Sequence, residues 1–326
     1  MSRKTARPIK MWINGRIFTV PEPPKRLKQA QDCVMNEEEL EHLDITQELN
    51  RYSAKIKLPK WYHPRLSKIS DLSSTLAPDD TIVVENDDKA SLAKALGRLH
   101  STVTQLRLKS APLQFTCIPC THPTIQKSFL YLRSQLLSMQ DEIPGLDASI
   151  FMSHLKLHVT IDVYSLFDEV ERAEAVKALE EYRPTLEELL QRTGPMSLDI
   201  GTLDCMNSNL KNVNVLYANA RFRDESPQVT LQAVVDGIAE HFYQRGLARK
   251  DPRSIKLHMT VLNSKYRKSC KGKWTRHGVD ATKILERFKD FHFGQCSFDA
   301  VHLSHMSLRG SDGFYEPLAV MRLSTD

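Results

Sequence analysis

The residues best suited to chemistry occur in a phrase that the chain writes twice, Leu155-Lys156-Leu157-His158-Val159-Thr160 and Ile255-Lys256-Leu257-His258-Met259-Thr260. Each copy sets a histidine and a threonine two residues apart, with a lysine two residues before the histidine. Histidine has an ordinary pKa of about 6.5, so near neutral pH one copy can be neutral while the other carries a proton. Such a pair suits in-line displacement at a phosphodiester. One imidazole takes the proton of the attacking oxygen and the other protonates the leaving oxygen, each role typically contributing about 10²- to 10⁴-fold. The threonine hydroxyls can hydrogen-bond the non-bridging phosphate oxygens, where charge concentrates in the transition state. The scheme calls for no metal and no cofactor, and its catalytic candidates are His158, Thr160, His258 and Thr260. A histidine on a strand is more often structural, and His42, His100, His241 and His302 are read that way. Duplication of a whole six-residue frame sets His158 and His258 apart.

The element that must position each pair is a strand. Successive strand side chains point to opposite faces, so Leu155, Leu157, Val159, Ile161 and Val163 share a core face, and Lys156, His158 and Thr160 emerge on the other. The second copy sorts in the same way: Ile255, Leu257, Met259 and Val261 turn inward, Lys256, His258 and Thr260 outward. Just beyond the second copy, Lys265, Tyr266, Arg267, Lys268, Lys271, Lys273, Trp274 and Arg276 follow one another with no acid between them. Cations there can hold phosphates while the rings stack on bases. The nucleic-acid-binding candidates are therefore Lys156, Lys256, Lys265, Tyr266, Arg267, Lys268, Lys271 and Trp274.

A chain of 326 residues is long enough for a large core. Its formal charge of +5 mildly favours acidic partners such as nucleic acid. Six cysteines at irregular positions do not form a disulfide framework in a chain this large, which implies a reducing compartment. Cys117 and Cys120 make one isolated pair without a second at zinc-ligand spacing, so they are read as structural. No apolar run reaches membrane-spanning length, and the basic N-terminus is not followed by a secretory apolar region. A soluble, intracellular protein is expected.

Along the chain, Asn14-Gly15 between two short apolar arms signals a hairpin, ended by Pro21 to Pro24. Residues 25 to 50 read as a polar linker. Ala54 to Leu58 and Thr81 to Glu85 read as strands, and Asp87 or Asp88 caps a helix with the stripe Leu92, Leu96, Leu99, Val103 and Leu106. Lys109 to Pro112 is a hinge. A strand over Leu113 to Pro119 and a helix from Thr124 follow. Asp168 to Tyr182 and Thr185 to Gln191 are expected as helices broken near Pro184. Asn212 to Phe222 reads as a strand, Pro227 to Arg245 as a helix closed by Gly246, and Ala281 to Lys289 as a helix capped by Asp280. Phe291 to Met306 is strand-rich. This order of elements predicts an α+β fold with two lobes facing across a cleft.

His158-Val159-Thr160 and His258-Met259-Thr260 in this setting resemble the paired motifs of the 2H phosphoesterase superfamily, the group of the 2′-5′ RNA ligase-like domains. Leu155 to Ile161, Val215-Leu216-Tyr217-Ala218, Ser254 to Val261 and Phe291-His292-Phe293-Gly294 further resemble its branch in activating signal cointegrator complexes. The strand and helix that close residues 51 to 110 are similar to part of a KH domain, although residues 52 to 80 hold no glycine for the usual Gly-x-x-Gly loop. The resemblance implies a hairpin and linker over 1–50, a degenerate KH-like α/β unit over 51–110, and a bilobal 2H domain over 111–326. It also implies metal-independent chemistry on an RNA or nucleotide phosphodiester. Nuclear residence, and a place beside other subunits of a cointegrator and helicase complex linked to transcription and alkylation repair, are implied in the same way. Retention of the same four residues by a catalytically silent nucleic-acid-binding subunit is the alternative.

Overall fold

The computed structural model describes residues 7–13, 15–20, 35, 40, 43–67, 74–79, 81–227, 229–249, 255–267 and 277–323. Two compact units divide the chain. The first gathers Met1–Gln114, Val163–Ala178 and Ala239–Arg253; the second gathers Phe115–Asp162, Leu179–Ile238 and Ser254–Asp326.

In the first unit, β1 (Ile9–Ile13) and β2 (Arg16–Val20) form the expected hairpin, with Ile13 opposite Arg16 across a two-residue turn. Gly15 supplies the positive φ of +84° that the turn needs; Asn14 lies outside the described residues. An isolated hairpin is marginal in water, and this one is anchored within its unit. The Trp12 N–H donates to the Gly246 carbonyl at 2.9 Å, and Arg7 pairs with Glu240 at 2.8 Å. Four antiparallel strands follow, β3 (Ile45–Glu48), β4 (Arg51–Lys57), β5 (Ser74–Leu76) and β6 (Thr81–Asn86), ordered β3-β4-β6-β5. The short helix α1 (His63–Leu66) lies between β4 and β5 in sequence. Most of the expected linker lies outside the described residues, but its end is the strand β3.

The long helix α2 (Lys89–Lys109) starts where its cap predicts, since Asp88 accepts from the Ser91 N–H at 2.8 Å and the Ser91 hydroxyl at 2.7 Å. Leu92, Leu96, Leu99 and Val103 join Met11, Phe18, Ile56 and Tyr62 in one apolar core. At the far end of α2, Arg107 and Glu171 are only 1% and 2% exposed and bond to each other. The Arg107 Nε–H also donates to the Tyr62 hydroxyl at 3.0 Å, and the Phe167 N–H donates to Glu171 at 2.6 Å. Both charges therefore have partners out of water, as a buried ion pair requires.

The chain then runs through β7 (Gln114–Pro119), α3 (Pro123–Ser138), β8 (His158–Tyr164), α4 (Glu169–Thr193), β9 (Ser197–Cys205), β10 (Val215–Phe222) and α5 (Leu231–Gln244). It continues with β11 (His258–Asn263), α6 (Thr282–Phe288), β12 (His292–Ser297), β13 (Ala300–Arg309) and β14 (Tyr315–Arg322). The break expected at Pro184 does not occur: α4 is one helix with Pro184 inside. An interior proline removes one N–H from the ladder and crowds the carbonyl four residues back, at about 3 kcal/mol; against that cost, Ala175, Ala178, Leu179, Leu186 and Leu190 are buried on both sides of it.

The strands of this second part join in one eight-stranded sheet of order β12-β9-β10-β11-β8-β7-β13-β14. The two lobes expected from the sequence are its two four-strand halves. They meet at β11 and β8, which are antiparallel and pair Met259 with Val159. Both motif strands thus lie at the seam.

Candidate functional site

Burial follows the parity of the motifs. Val159, Ile161, Met259 and Val261 are at most 1% exposed, whereas His158, Thr160, His258 and Thr260 alternate with them as half-buried positions. The strand reading is corrected at its leading edge. Leu155 and Lys156 belong to a 3-10 turn over His154–Lys156, begun by Ser153, whose side chain accepts from the Leu155 N–H; Ile255 to Leu257 also precede the strand. Because β8 and β11 run antiparallel about the Val159–Met259 pair, His158 and Thr260 lie to one side of it and His258 and Thr160 to the other.

Those irregular leads orient the imidazoles. The His158 Nδ1–H donates to the Lys156 carbonyl at 2.8 Å, and the His258 Nδ1–H donates to the Lys256 carbonyl at 2.7 Å. A carbonyl only accepts, so Nδ1 carries the hydrogen in both rings and Nε2 is left for proton transfer. Burial pushes the His158 pKa down to about 4 against the pull of its backbone bond, and the charge of His258 lowers it further. Burial also lowers His258. The neutral form is therefore favoured in both rings, and more strongly in His158.

Aromatic rings brace each histidine. His258 meets Tyr217 of β10 edge-on at 5.3 Å, while His158 packs against both Phe115 at 5.1 Å and Tyr315 at 5.4 Å, which also touch each other at 4.8 Å. The lysine of each motif lies over the matching tyrosine, Lys156 Nζ at 4.4 Å from the Tyr315 ring and Lys256 Nζ at 4.6 Å from the Tyr217 ring. Across the β10–β11 ladder, Tyr217 stands opposite Thr260 and Asn219 opposite His258. A bulge in β9 leaves Thr202, at φ 55°, without a partner residue on β10; its N–H donates to the Phe291 carbonyl at 3.0 Å and its carbonyl accepts from the Asn219 side-chain amide at 2.9 Å. The Tyr217 hydroxyl donates to Asp204 at 2.6 Å, and Lys256 stands 3.8 Å from the same carboxylate.

The basic stretch divides into residues near the site and residues used elsewhere. Lys265 lies close enough to His158 to help lower its pKa, and its ammonium is 5.1 Å from the Tyr266 ring. Arg267 donates to the carbonyls of Gly145 at 2.5 Å and His277 at 3.2 Å. Lys268, Lys271 and Trp274 lie outside the described residues. Cys117 and Cys120 are buried, with their thiol pKa values raised. Among the described residues, no three His, Cys, Asp or Glu side chains gather as metal ligands, and no helix is long and apolar enough to cross a membrane.

Tyr217, Tyr315, Phe115, Asp204 and Asn219 complete the site beyond the residues picked out from sequence. A signal for Tyr217 was present in the Val-Leu-Tyr-Ala segment. The others are brought in by pairing of distant strands, which leaves no mark at short range.

Residues 112–323 match the AKAP7 2′5′ RNA ligase-like domain. Mouse activating signal cointegrator 1 complex subunit 1 is 27% identical over 248 residues, which span 72% of this chain and 69% of that protein. Human A-kinase anchor protein 7 isoform gamma is 26% identical over 211 residues, 63% of this chain and 55% of that one. Among solved structures, E. coli LigT in its apo form has 13% identity and a TM-score of 0.38, covering 66% of this chain and 99% of its own. TT0787 of Thermus thermophilus has 15% identity and a TM-score of 0.34, covering 65% and 97%.

Proposed function

The chain belongs, through residues 112–323, to the AKAP7 2′5′ RNA ligase-like domain family of 2H phosphoesterases, and from that membership we propose that it acts on an RNA or nucleotide phosphodiester by metal-independent acid and base chemistry. The observation that carries this reading is the matched imidazole pair at the seam, each with Nδ1 held by a motif carbonyl and Nε2 left available. His158, with the lower pKa, serves as the base and takes the proton of the attacking oxygen. His258 serves as the acid. The negative charge of a bound phosphodiester raises the pKa of a neighbouring imidazole, so that His258 can hold the proton it donates. Thr160 and Thr260 donate to the non-bridging oxygens.

The named relative is a complex subunit, which supports placing this chain among the subunits of a nuclear cointegrator and helicase complex, serving transcription and alkylation repair. The first unit then carries the degenerate KH-like part of that role. One observation favours the second reading, a silent nucleic-acid-binding subunit: burial disfavours the protonated form of both rings, and an acid catalyst needs that form. A turnover assay on cyclic phosphates and short RNAs, with the wild type and the His158→Ala and His258→Ala variants, decides between them. Turnover lost in both variants supports the enzyme; nucleotide binding without turnover in the wild type supports the silent subunit.

A further inference from the structure

The two half-sites are alike in their rings and unlike in their charge. On the His258 side, Asp204 offsets Lys256 at 3.8 Å and takes the Tyr217 hydroxyl. On the His158 side, Lys156 lies over Tyr315, Lys265 lies over Tyr266, and no carboxylate among the described residues comes within ion-pair distance of either ammonium. Arg309, at the end of β13, adds a third cation. Its guanidinium passes over Gly313, where a built Cβ would meet Arg309 Nη2 at 2.9 Å and the Leu155 side chain at 2.7 Å. The turn therefore brings Arg309 beside the lead of the first motif. Asp312 and Glu316 flank Gly310 instead, and neither forms an ion pair with Arg309.

Lys156 is half-buried while Lys265 and Arg309 are exposed; like charges gathered near one another repel, and an entering anion relieves that repulsion. The Lys156 pKa is lowered by burial and by the charge of Arg309. Tyr266 is 38% exposed, leaving a ring face for a base next to the cations.

The geometry points to a binding site for a second phosphate on the His158 side, formed by Lys156, Lys265 and Arg309. The substrate class is then an oligonucleotide, or a terminally phosphorylated dinucleotide, in preference to a nucleotide whose only phosphate is the reacting one. This inference rests on the phosphodiester reading above and adds a substrate class and polarity to it. On the opposite side Asp204 stands among Lys256 and Lys289 and offsets their charge, whereas the three cations here have no such carboxylate among the described residues, so only one chain direction places the extra phosphate on an uncompensated cation cluster.

The test compares three RNA dinucleotides, one bare, one with a 5′-phosphate and one with a 3′-phosphate. One of the two phosphates is expected to raise kcat/KM about tenfold or more, as a charge-assisted contact does. That ratio should fall to about one in Arg309→Gln and return in Arg309→Lys. If neither phosphate helps, or if Arg309→Gln slows all three substrates by one factor and leaves the ratio intact, the second site is overturned. The same ratio is read in Kd by calorimetry. Phosphate-dependent affinity that needs Arg309, without turnover, upholds the site while removing the catalytic reading. Turnover without phosphate preference does the reverse, and absence of both turnover and binding overturns both.

Discussion

Val159 of the first motif pairs with Met259 of the second across an antiparallel seam, so the histidine of each motif lies on the same side of that pair as the threonine of the other. Each half of the candidate site is thereby assembled from both copies, so on the proposed mechanism damage to one motif should affect both ends of the reacting phosphate. His158→Ala and His258→Ala are each expected to lower single-turnover rates by about 10²- to 10⁴-fold. The double variant should be little worse than the poorer single one, because residues that act as a unit are not additive. Losses that multiply would mean that the two rings work independently.

The depressed pKa of His158 makes a signed prediction for stability. Between the ordinary value of 6.5 and the folded value of about 4, the unfolded chain binds the proton and the folded chain does not. The stabilisation is fully present above pH 6.5 and is lost as the pH falls through that window, by about 3 kcal/mol at most. His100 of the first unit, which burial pushes down to about 4, contributes with the same sign. Urea denaturation at a series of pH values should therefore show a shallower acid loss in His158→Gln than in the wild type. For catalysis, kcat/KM should peak below pH 6.5 and decline above it as the protonated acid is depleted.

Much of this arrangement could be read from the sequence, and the exceptions have local causes. Parity separated His158 and Thr160 from Val159 and Ile161 because a period-two pattern states which side chains share a face. The cap at Asp88 and the hairpin at Gly15 were likewise written in adjacent residues. β14 was hidden because Pro317 interrupts it and its burial does not alternate, yet it brings Tyr315 to His158. β9, which carries Asp204, was hidden by Gly201 and the left-handed Thr202, whose bulge reads locally as a turn. The seam itself joins strands a hundred residues apart, and no short-range signal specifies which strands pair.

A catalytic scheme built from two imidazoles and two hydroxyls should be indifferent to chelation. Activity on an RNA or cyclic phosphate is expected to persist in excess EDTA at the wild-type rate. Loss that magnesium or zinc restores would place a metal in the mechanism instead.

In the first unit, the pair Arg107 and Glu171 holds charge out of water. Arg107→Met leaves the Glu171 carboxylate buried without its cation and should cost about 3–5 kcal/mol in chemical denaturation. Arg107→Met combined with Glu171→Leu removes both charges and should recover most of that loss. A double variant as unstable as the single one would show that the side-chain shapes, and not the unpaired charge, set the cost.

Thr260 offers the narrowest test of transition-state contact, because its hydroxyl can be removed with little change to the strand. Valine has nearly the same shape and equal β-branching, so Thr260→Val should fold as the wild type does. Its partner Tyr217 still faces it across the ladder, and His258 keeps its bond to the Lys256 carbonyl. If the hydroxyl donates to a phosphate oxygen mainly as charge builds there, the substitution should lower kcat by about 10²-fold while changing KM much less. Thr260→Ser, which keeps the donor, should retain most of the rate. Equal rates in the valine and serine variants would remove Thr260 from the chemical step and leave it as a residue of the strand alone.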